Sequence, residues 1–313
     1  MRNQSQQTIL EQYGLQLVTI LQSNQRKGVS VALVTDSTGR RMIMKHCDWT
    51  HLETRKNLNN ERRFYSNNTA DFTPRMLFSG ENFLCLEYID GVPLLSALQQ
   101  RKLSCAEATL LVNSQVRMAQ FFAAGQGEDH GDPGHFAAEY MRYVSKLFNS
   151  GPWSTRRSSL ENLLLVQCWR LIRRPLLWRA SALVKNETTV PGKSMTHNDF
   201  HQNNLLIDRE NKLYLIDFEN FGPGYWTLDL IYALSTLYAT GRVSQTTLMH
   251  AMRGPAERYP FLQPLLAIAL CAVGTNRRFT KVSLTGALAH VARLVCYSVT
   301  GSTRVLPGGH YQP

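Results

Sequence analysis

The sequence contains neither the cysteine spacing of a metal-binding protein nor the apolar runs of an integral membrane protein. Its six cysteines are scattered without a C-x-x-C or a short Cys/His cluster, so a structural zinc site has little support. Most have apolar neighbours, which favours buried, reduced thiols. No uncharged apolar stretch of about 18 residues or more occurs, and residues 1–14 are too polar for a signal peptide. We therefore expect a cytoplasmic protein without a spanning helix.

Compositional bias is also absent. The 313 residues include only 20 Gly and 12 Pro, and 43% are hydrophobic, which excludes collagen-like, disordered and disulfide-stapled proteins. Internal repeats and low-complexity linkers are not found. A chain of this length can bury a large core, so we expect one large domain or two associated lobes.

Acidic residues are scarce relative to basic ones. The chain has 34 Lys+Arg against 23 Asp+Glu, a formal net charge of +11. Such an excess points to an anionic partner, which could be a nucleotide, a nucleic acid or an acidic membrane surface. No nucleic-acid-binding module and no basic strand interleaved with aromatics is recognised, so we expect no nucleic-acid partner.

The first ninety residues are predicted to be rich in β-strands. Alternating or continuous apolar runs separated by turn residues predict five strands, and a charged segment predicts one helix between the third and fourth. The predicted strands are 15–21, 29–34, 41–45, 75–78 and 83–88, and the helix is 53–67. In the third strand, Met42 and Met44 should share one face, with Ile43 and Lys45 on the other.

Beyond Gly91 the pattern becomes helical. Ser104 and Glu107 have capping-box spacing at the start of an apolar-periodic run that reaches Phe122. Further helices are predicted at 137–148, 160–184, 229–238, 246–252, 262–273 and 285–297. The exception is 195–221, where two short apolar runs, 204–207 and 213–216, predict a hairpin. We predict an α+β fold with a small antiparallel β-rich lobe, 1–89, and a larger, mainly helical lobe, 90–313.

Three polar residues around this hairpin have a spacing that suits phosphoryl transfer. Asp199 follows His197 by two residues, Asn204 lies five residues further on, and Asp217 follows the second strand. A carboxylate can orient an acceptor hydroxyl and take its proton, which makes Asp199 the candidate base. The amide oxygen of Asn204 and the carboxylate of Asp217 are oxygen ligands of the kind that Mg²⁺ prefers.

This segment resembles the catalytic loop and metal-binding Asp of the aminoglycoside phosphotransferase and choline kinase family, relatives of the protein kinases. The resemblance implies a bilobal protein-kinase-like fold and transfer of the γ-phosphoryl group of ATP, with Mg²⁺, to a hydroxyl. His197 would brace the loop, whereas the role of His201 stays open. Asn198 departs from the family, because antibiotic kinases commonly have Gly there.

The resemblance also assigns residues of the β-rich lobe to ATP. Lys45 would hold the phosphates, and Glu61 would pair with it, although Glu53 is a competing carboxylate. The backbone from Glu87 to Ile89 would meet the adenine.

Three further residues have less specific assignments, Gly28 and Ser30 to contact with ATP and Asp229 to a structural role. The first hairpin offers only Gly28 and Ser30 in place of a G-x-G-x-x-G loop, which argues against a protein kinase. Asp229 is expected to be an N-cap or a loop brace.

The acceptor is less well defined by the sequence. Residues 140–190 contain nine Lys/Arg and only two Glu, a poor attractant for polycationic aminoglycosides. Sugars, amino alcohols, and glycans or lipid-linked head groups remain open, and aminoglycosides are an alternative. A non-catalytic pseudokinase is disfavoured because Lys45, Asp199, Asn204 and Asp217 are all present.

Residues 156–185 allow two interpretations. Between Leu163 and Val184 there are four Arg and no acid, with Trp169 and Trp178 among many Leu. In the ordinary interpretation, the segment forms helices whose Leu face lies in the core and is covered by the aliphatic parts of the Arg side chains. The alternative is peripheral contact with an anionic membrane at its inner face. Pro175 is expected to kink or split the helix.

Overall fold

The computed structural model describes residues 5–24, 26–48, 50–100, 104–122, 131–149, 159–185, 192–275 and 284–300. The helices are α1 Gln6–Gln12, α2 Leu52–Asn67, α3 Leu94–Gln100, α4 Cys105–Phe121, α5 Pro133–Asn149, α6 Ser159–Lys185, α7 Trp226–Ala239, α8 Gln245–Ala251, α9 Arg253–Arg258, α10 Leu262–Thr275 and α11 Leu284–Thr300. The strands are β1 Gln16–Asn24, β2 Val29–Thr35, β3 Arg41–Cys47, β4 Met76–Ser79, β5 Phe83–Glu87, β6 Gly91–Pro93, β7 Ser194–Thr196, β8 Leu205–Asp208, β9 Leu213–Leu215 and β10 Gly222–Gly224.

A five-stranded antiparallel sheet forms the N-terminal part, in the order β1-β2-β3-β5-β4. Strands β2 and β3 form a hairpin whose turn is residues 36–39. The Asp36 carboxylate accepts from the backbone N–H groups of Thr38 and Arg40, and Gly39 takes the left-handed conformation at φ 82°. The α+β class and the antiparallel sheet are as predicted.

The two faces of this sheet differ in what they pack against. Met42 and Met44 lie on a face that is buried against α1, as the alternation predicts, with Lys45 on the opposite face. The core on the Met44 face consists of Ile9, Leu10, Leu15, Ala32, Val34, Met42, Met44, Phe83 and Cys85. Helix α1 was not predicted, because its segment has only two buried apolar residues among polar ones.

The chain forms two compact units that are interleaved in sequence. The first comprises the described residues of Met1–Leu94, His197–Asp199 and Asn203–Gly222. The second comprises those of Leu95–Thr196, Phe200–Gln202 and Pro223–Pro313. The short hairpin of β8 and β9 therefore belongs with the five-stranded sheet unit, and β6 pairs with β8 beside it. A domain boundary at residue 89 stays a prediction.

The second unit is mainly helical. Helix α4 begins with a complete capping box, in which Ser104 and Glu107 each bond the other's backbone N–H. Helix α10 is buried on all sides from Leu265 to Val273, which explains its continuous apolar sequence. Tyr140 of α5 lies in the same interior and donates its hydroxyl to the Leu265 carbonyl at 2.6 Å.

Helix α6 runs without a break through Pro175, so a split into two segments, one of the two expected outcomes, is wrong, whereas a kink stays a prediction. Proline removes the N–H that would bond the carbonyl of Leu171, one turn earlier. Both residues are exposed, so that carbonyl can bond water instead of requiring a break. Among the described residues, no helix is long and apolar enough to cross a membrane.

Candidate active site

His197 holds the start of the loop that connects β7 to β8. Nδ1 of its buried ring accepts a hydrogen bond from the Asp199 backbone nitrogen, 3.3 Å away. The ring proton must therefore lie on Nε2. Nε2 then donates to the Ile216 carbonyl at 2.9 Å. This neutral tautomer ties the loop to the residue that precedes Asp217, and it supports the bracing role that we expect for His197.

Asn198 adopts the left-handed conformation, with φ 61°. Asn tolerates this region better than most residues, so the departure from Gly does not distort the loop. Its side-chain amide donates to the carbonyls of Asn220 and Gly222, each at 3.1 Å. Asn198 therefore supplies the backbone conformation of a glycine and also two hydrogen bonds to the segment beyond Asp217.

Asp199 and Asn204 are in direct contact. The Asn204 amide nitrogen donates to the Asp199 carbonyl at 2.9 Å and lies 3.3 Å from its carboxylate oxygen Oδ2. This contact uses the nitrogen of the amide and leaves the oxygen directed away from Asp199. The Ile216 N–H donates to the Asn204 carbonyl at 2.9 Å, which joins this pair to the strand that carries Asp217.

Asp217 lies at the end of that strand in a left-handed conformation, with φ 70° and ψ 61°. Its carboxylate accepts from Lys45 Nζ at 2.5 Å, and the same Nζ donates to Glu61 at 2.6 Å. Lys45 projects from β3, and Glu61 lies on α2 with only 2% of its side chain exposed. The competing carboxylate, Glu53, is exposed in the first turn of α2. The structure therefore brings Lys45, Glu61 and Asp217 together.

The protonation of this cluster follows from burial and charge. Burial alone would lower the pKa of Lys45, but the carboxylates of Glu61 and Asp217 outweigh it and raise that pKa. Burial raises the pKa of Glu61 to about 7 against the opposing effect of Lys45. Burial also opposes ionisation of Asp217, yet Lys45 keeps its pKa below the ordinary value. Lys45 and Asp217 are therefore the charged pair, and Glu61 is the group that titrates near neutrality.

Glu219 is a site residue that the sequence pattern did not reveal. Its carboxylate accepts from the Asn57 amide at 2.7 Å, and its backbone carbonyl accepts from the Asn60 amide at 3.0 Å. Burial, with Asp217 beside it, raises the pKa of Glu219. The available signal was the spacing of Asn57, Asn60 and Glu61, which places all three on one face of α2.

An aromatic cluster extends the contact of α2 with the segment after Asp217. Phe64 stacks on Phe218 with ring centroids 3.5 Å apart, and it meets Phe221 edge-on at 4.9 Å. Tyr65 also packs edge-on against Phe218. Stacked and edge-to-face rings add to the stability that their buried area provides. Helix α2 is thus fixed to this segment by charge, amides and aromatic rings together.

The first hairpin places Gly28 and Ser30 away from Lys45. Gly28 has φ 61°, and a Cβ there would lie 2.7 Å from Cβ of Asp48, so the fold itself requires glycine. Ser30 is on the Met44 face of the sheet, opposite Lys45, and its hydroxyl donates to Gln6. The cluster around Lys45 includes neither residue, and their contact with ATP stays a prediction.

At the end of β5, Glu87 and Ile89 make local contacts. The Glu87 carboxylate forms a bidentate ion pair with Arg75, and this pair lowers the pKa of Glu87. The backbone N–H of Glu87 also donates to the Arg75 carbonyl. The Ile89 carbonyl accepts from the Gly91 N–H at 2.9 Å in a tight turn. These contacts fix the backbone that we expect to meet adenine, and that assignment stays a prediction.

In the helical unit, Asp229 lies in the first turn of α7 and is buried. Its carboxylate accepts a hydrogen bond from the Thr196 hydroxyl. Because Thr196 immediately precedes His197, Asp229 braces the loop rather than acting as an N-cap. The N-cap position belongs to Tyr225. His201 packs edge-on against Tyr232 of the same helix, with centroids 5.8 Å apart.

Comparison with known families defines the class of this protein. The family model "Phosphotransferase enzyme family" matches residues 26–264, more than half of the chain. The chain therefore belongs to that family, and the prediction of a phosphotransferase is confirmed. The match includes Lys45, the loop from His197 to Asn204 and Asp217. A search of curated proteins finds no match.

Solved structures show the same fold. An aminoglycoside phosphotransferase from Alicyclobacillus acidocaldarius aligns with a TM-score of 0.53 at 14% identity, covering 97% of each chain. The ADP-bound aminoglycoside phosphotransferase APH(2'')-Ib aligns with a TM-score of 0.52 at 13% identity, covering 92% of this chain and 95% of the other. Choline kinase LicA from Streptococcus pneumoniae aligns with a TM-score of 0.48 at 12% identity, covering 94% of this chain and 98% of the other. The first two confirm the predicted kinase-like fold, and at such identities they show the fold alone.

Proposed function

We propose that this protein transfers the γ-phosphoryl group of ATP to a hydroxyl of a small molecule or glycan. The observation that carries the proposal is the joined arrangement of Lys45, Glu61 and Asp217 with Asp199 and Asn204. A lysine held between two carboxylates, next to a carboxylate–amide pair, supplies the groups that phosphate binding, metal binding and hydroxyl activation require.

Each residue has a separate task. Asp199 orients the acceptor hydroxyl and takes its proton, while the Asn204 amide keeps the Asp199 carboxylate in place. Lys45 binds phosphate oxygens, and Glu61 fixes the direction of the Lys45 side chain. Because Glu61 is almost fully buried on α2, the position of Lys45 depends on that helix. Positioning and charge neutralisation dominate this chemistry, so these contacts matter as much as the base.

The donor set fits Mg²⁺. Asn204 offers an amide oxygen, since its nitrogen is used by Asp199, and Asp217 offers a carboxylate. Glu219 is next to Asp217 and is a third oxygen donor of this site. Among the described residues, no three His, Cys, Asp or Glu side chains form a metal group by themselves. Mg²⁺ in phosphoryl-transfer sites usually takes one or two carboxylates plus substrate phosphates and neutralises their charge.

The nucleotide base would lie against the apolar side of the sheet. Leu33, Ile43 and Leu86 occupy matching positions on adjacent strands, on the same face as Lys45. An apolar surface beside a fixed backbone segment, here Glu87 to Ile89, suits a purine. This supports ATP binding with the phosphates directed toward Lys45, and it favours a cytoplasmic enzyme because ATP is available there.

For the acceptor, we favour a sugar, an amino alcohol or a glycan hydroxyl. The basic excess in residues 140–190 disfavours polycationic aminoglycosides, although solved relatives of the same fold are aminoglycoside phosphotransferases. The test is ADP release from ATP and Mg²⁺ across a panel of sugars, choline, ethanolamine and aminoglycosides, with the phosphorylated product identified by mass. Turnover on a neutral or singly charged alcohol supports the proposal, whereas exclusive turnover on aminoglycosides contradicts the acceptor class.

A further inference from the structure

Helix α6 exposes a face that combines arginines with large apolar side chains. We define the basic face of α6 as Arg170, Leu171, Arg173, Arg174 and Trp178. All three arginines are exposed, and Leu171 and Trp178 are 76% and 62% exposed. Arg170, Leu171, Arg174 and Trp178 follow helical spacing, so they form one stripe along the outside of the helix. A large apolar pair on such a stripe marks an interaction site more often than isolated exposed residues do.

The opposite face of the same helix is core. Ile172, Leu176, Ala180 and Val184 are spaced by four residues and are at most 4% exposed. The helix is therefore anchored in the protein by one side, and the basic face of α6 needs no rearrangement to meet a partner. The core interpretation of this segment therefore agrees with the buried side of the helix, and the membrane interpretation stays a prediction for the exposed side.

The charged side chains of α6 from residue 162 onward, and those of its neighbour α11, have one sign. Residues 162–186 contain no Asp or Glu, and neither does α11, which packs against α6 and exposes Arg293. Neither helix can therefore neutralise these arginines with a carboxylate of its own. Helix α5, which also packs against α6, has one carboxylate, Glu139, and that carboxylate is already paired with Arg142 at 2.7 Å. A field of one sign attracts an extended anionic surface more strongly than it attracts a mixed protein surface.

We propose that the basic face of α6 docks the protein on an anionic lipid membrane. Arginines bind lipid phosphates and the negative surface potential, while Trp178 and Leu171 enter the interface between head groups and acyl chains. A second copy of the chain is a poor occupant, because a twofold contact would place arginines against arginines. This proposal goes beyond phosphoryl transfer and does not depend on it, but it would bring the enzyme to acceptors held at a membrane surface.

The first test is co-sedimentation of the full-length protein with vesicles, in the absence of ATP. Vesicles of phosphatidylcholine alone are compared with vesicles that also contain phosphatidylserine, at low and high salt. We expect binding to the anionic vesicles that decreases with salt. In Arg170→Gln/Arg173→Gln/Arg174→Gln the partition coefficient should fall about 100-fold, given the contribution of each basic residue near such a surface.

Control variants separate local charge from net charge. Lys212→Gln/Arg253→Gln/Arg258→Gln removes the same number of exposed charges elsewhere and should retain most of the binding. Leu171→Ser/Trp178→Ser keeps every charge and should lose the binding that survives high salt. This second variant also serves if the triple arginine variant does not fold, as judged by circular dichroism.

Four results would overturn the proposal. They are equal binding to neutral and anionic vesicles, unchanged binding by both α6 variants, equal losses in the α6 and control triple variants, and a dimer in sedimentation velocity that the α6 substitutions dissociate. The vesicle measurement needs no turnover, so its failure would leave the proposed phosphoryl transfer untouched. Loss of turnover on a soluble acceptor would in turn say nothing against docking.

Discussion

Asn198 combines two properties in one residue, a left-handed backbone and two hydrogen bonds to the segment after Asp217. Substitution by Gly removes only the hydrogen bonds, whereas substitution by Ala also strains the backbone. We therefore expect Asn198→Ala to lower the free energy of unfolding by about 1 kcal/mol more than Asn198→Gly does. Denaturant unfolding of both variants measures this difference, and equal values would contradict the left-handed assignment.

Lys45 is the residue for which catalysis and folding should separate most clearly. Lys45→Met keeps the aliphatic stem but removes the charge that Glu61 and Asp217 share. Glu61 can respond by keeping its proton, since burial already raises its pKa to about 7, so the fold should survive. We expect kcat/KM for ATP to fall about 100-fold or more, with a cooperative unfolding transition retained. An unfolded variant, or one with unchanged activity, would count against the placement of ATP.

At the scale of elements, α2 is the part that connects the charged cluster to the segment after Asp217. Asn57 holds the Glu219 carboxylate, so Asn57→Ala should free that carboxylate and raise the Mg²⁺ concentration for half-maximal activity. A hydrogen bond to a charged group is typically worth about 2 kcal/mol, which corresponds to about 30-fold. A magnesium titration of initial rates provides the measurement.

Asn59→Ala is the matched control for that substitution. Asn59 is on the same helix but is exposed, and its carbonyl oxygen bonds only its neighbour Arg62 among the contacts described. Asn59→Ala should change the Mg²⁺ concentration for half-maximal activity by no more than about twofold. If both variants shift the titration alike, the effect belongs to the helix as a whole rather than to Glu219.

Elements marked by periodicity or by turn residues were predictable, including the short hairpin of β8 and β9, and elements without such marks were not. Strands β2 and β3 and helices α4 and α10 begin within about two residues of their predicted starts, because turn residues and capping residues mark them. Helix α9 was missed because Gly254-Pro255 signals a break, yet Pro255 lies in the first turn, where it loses no hydrogen bond. The continuity of α6 through Pro175 could not be predicted either, since it depends on which side of the helix faces water.

Some residues of the candidate site could also be predicted from the sequence, and others could not. Asp199, Asn204 and Asp217 lie within one short segment with recognisable spacing, so the sequence alone could assign them. Asn57 and Asn60 could not be assigned, because amides on a helix surface resemble ordinary solvated residues until the tertiary fold places Glu219 beside them. The spacing that they share with Glu61 was the only local signal, and it could not identify a partner more than a hundred residues away in the chain.

For the molecule as a whole, Glu61 couples folding to pH. Its pKa is about 7 in the folded protein, above the ordinary 4.5, so the folded state keeps a proton that the unfolded chain releases. This contribution to stability is complete below about pH 4.5 and is lost as the pH rises through about 7. Wild type should therefore lose more stability than Glu61→Gln between pH 5 and pH 8, by on the order of 1 kcal/mol or more. Denaturant unfolding at both pH values measures it, and parallel curves would contradict the assignment.

The central claim is that Asp199 and Asp217 act in phosphoryl transfer at the site that Lys45 completes. The most direct test is transfer of labelled phosphate from ATP to the best acceptor of the panel by wild type, Asp199→Asn and Asp217→Asn. Asn preserves the shape of each side chain, so a loss of rate reports on charge and proton transfer rather than on packing. We predict at least about a 100-fold fall in kcat for each variant, with cooperative unfolding retained. Equal turnover by all three proteins would contradict the account.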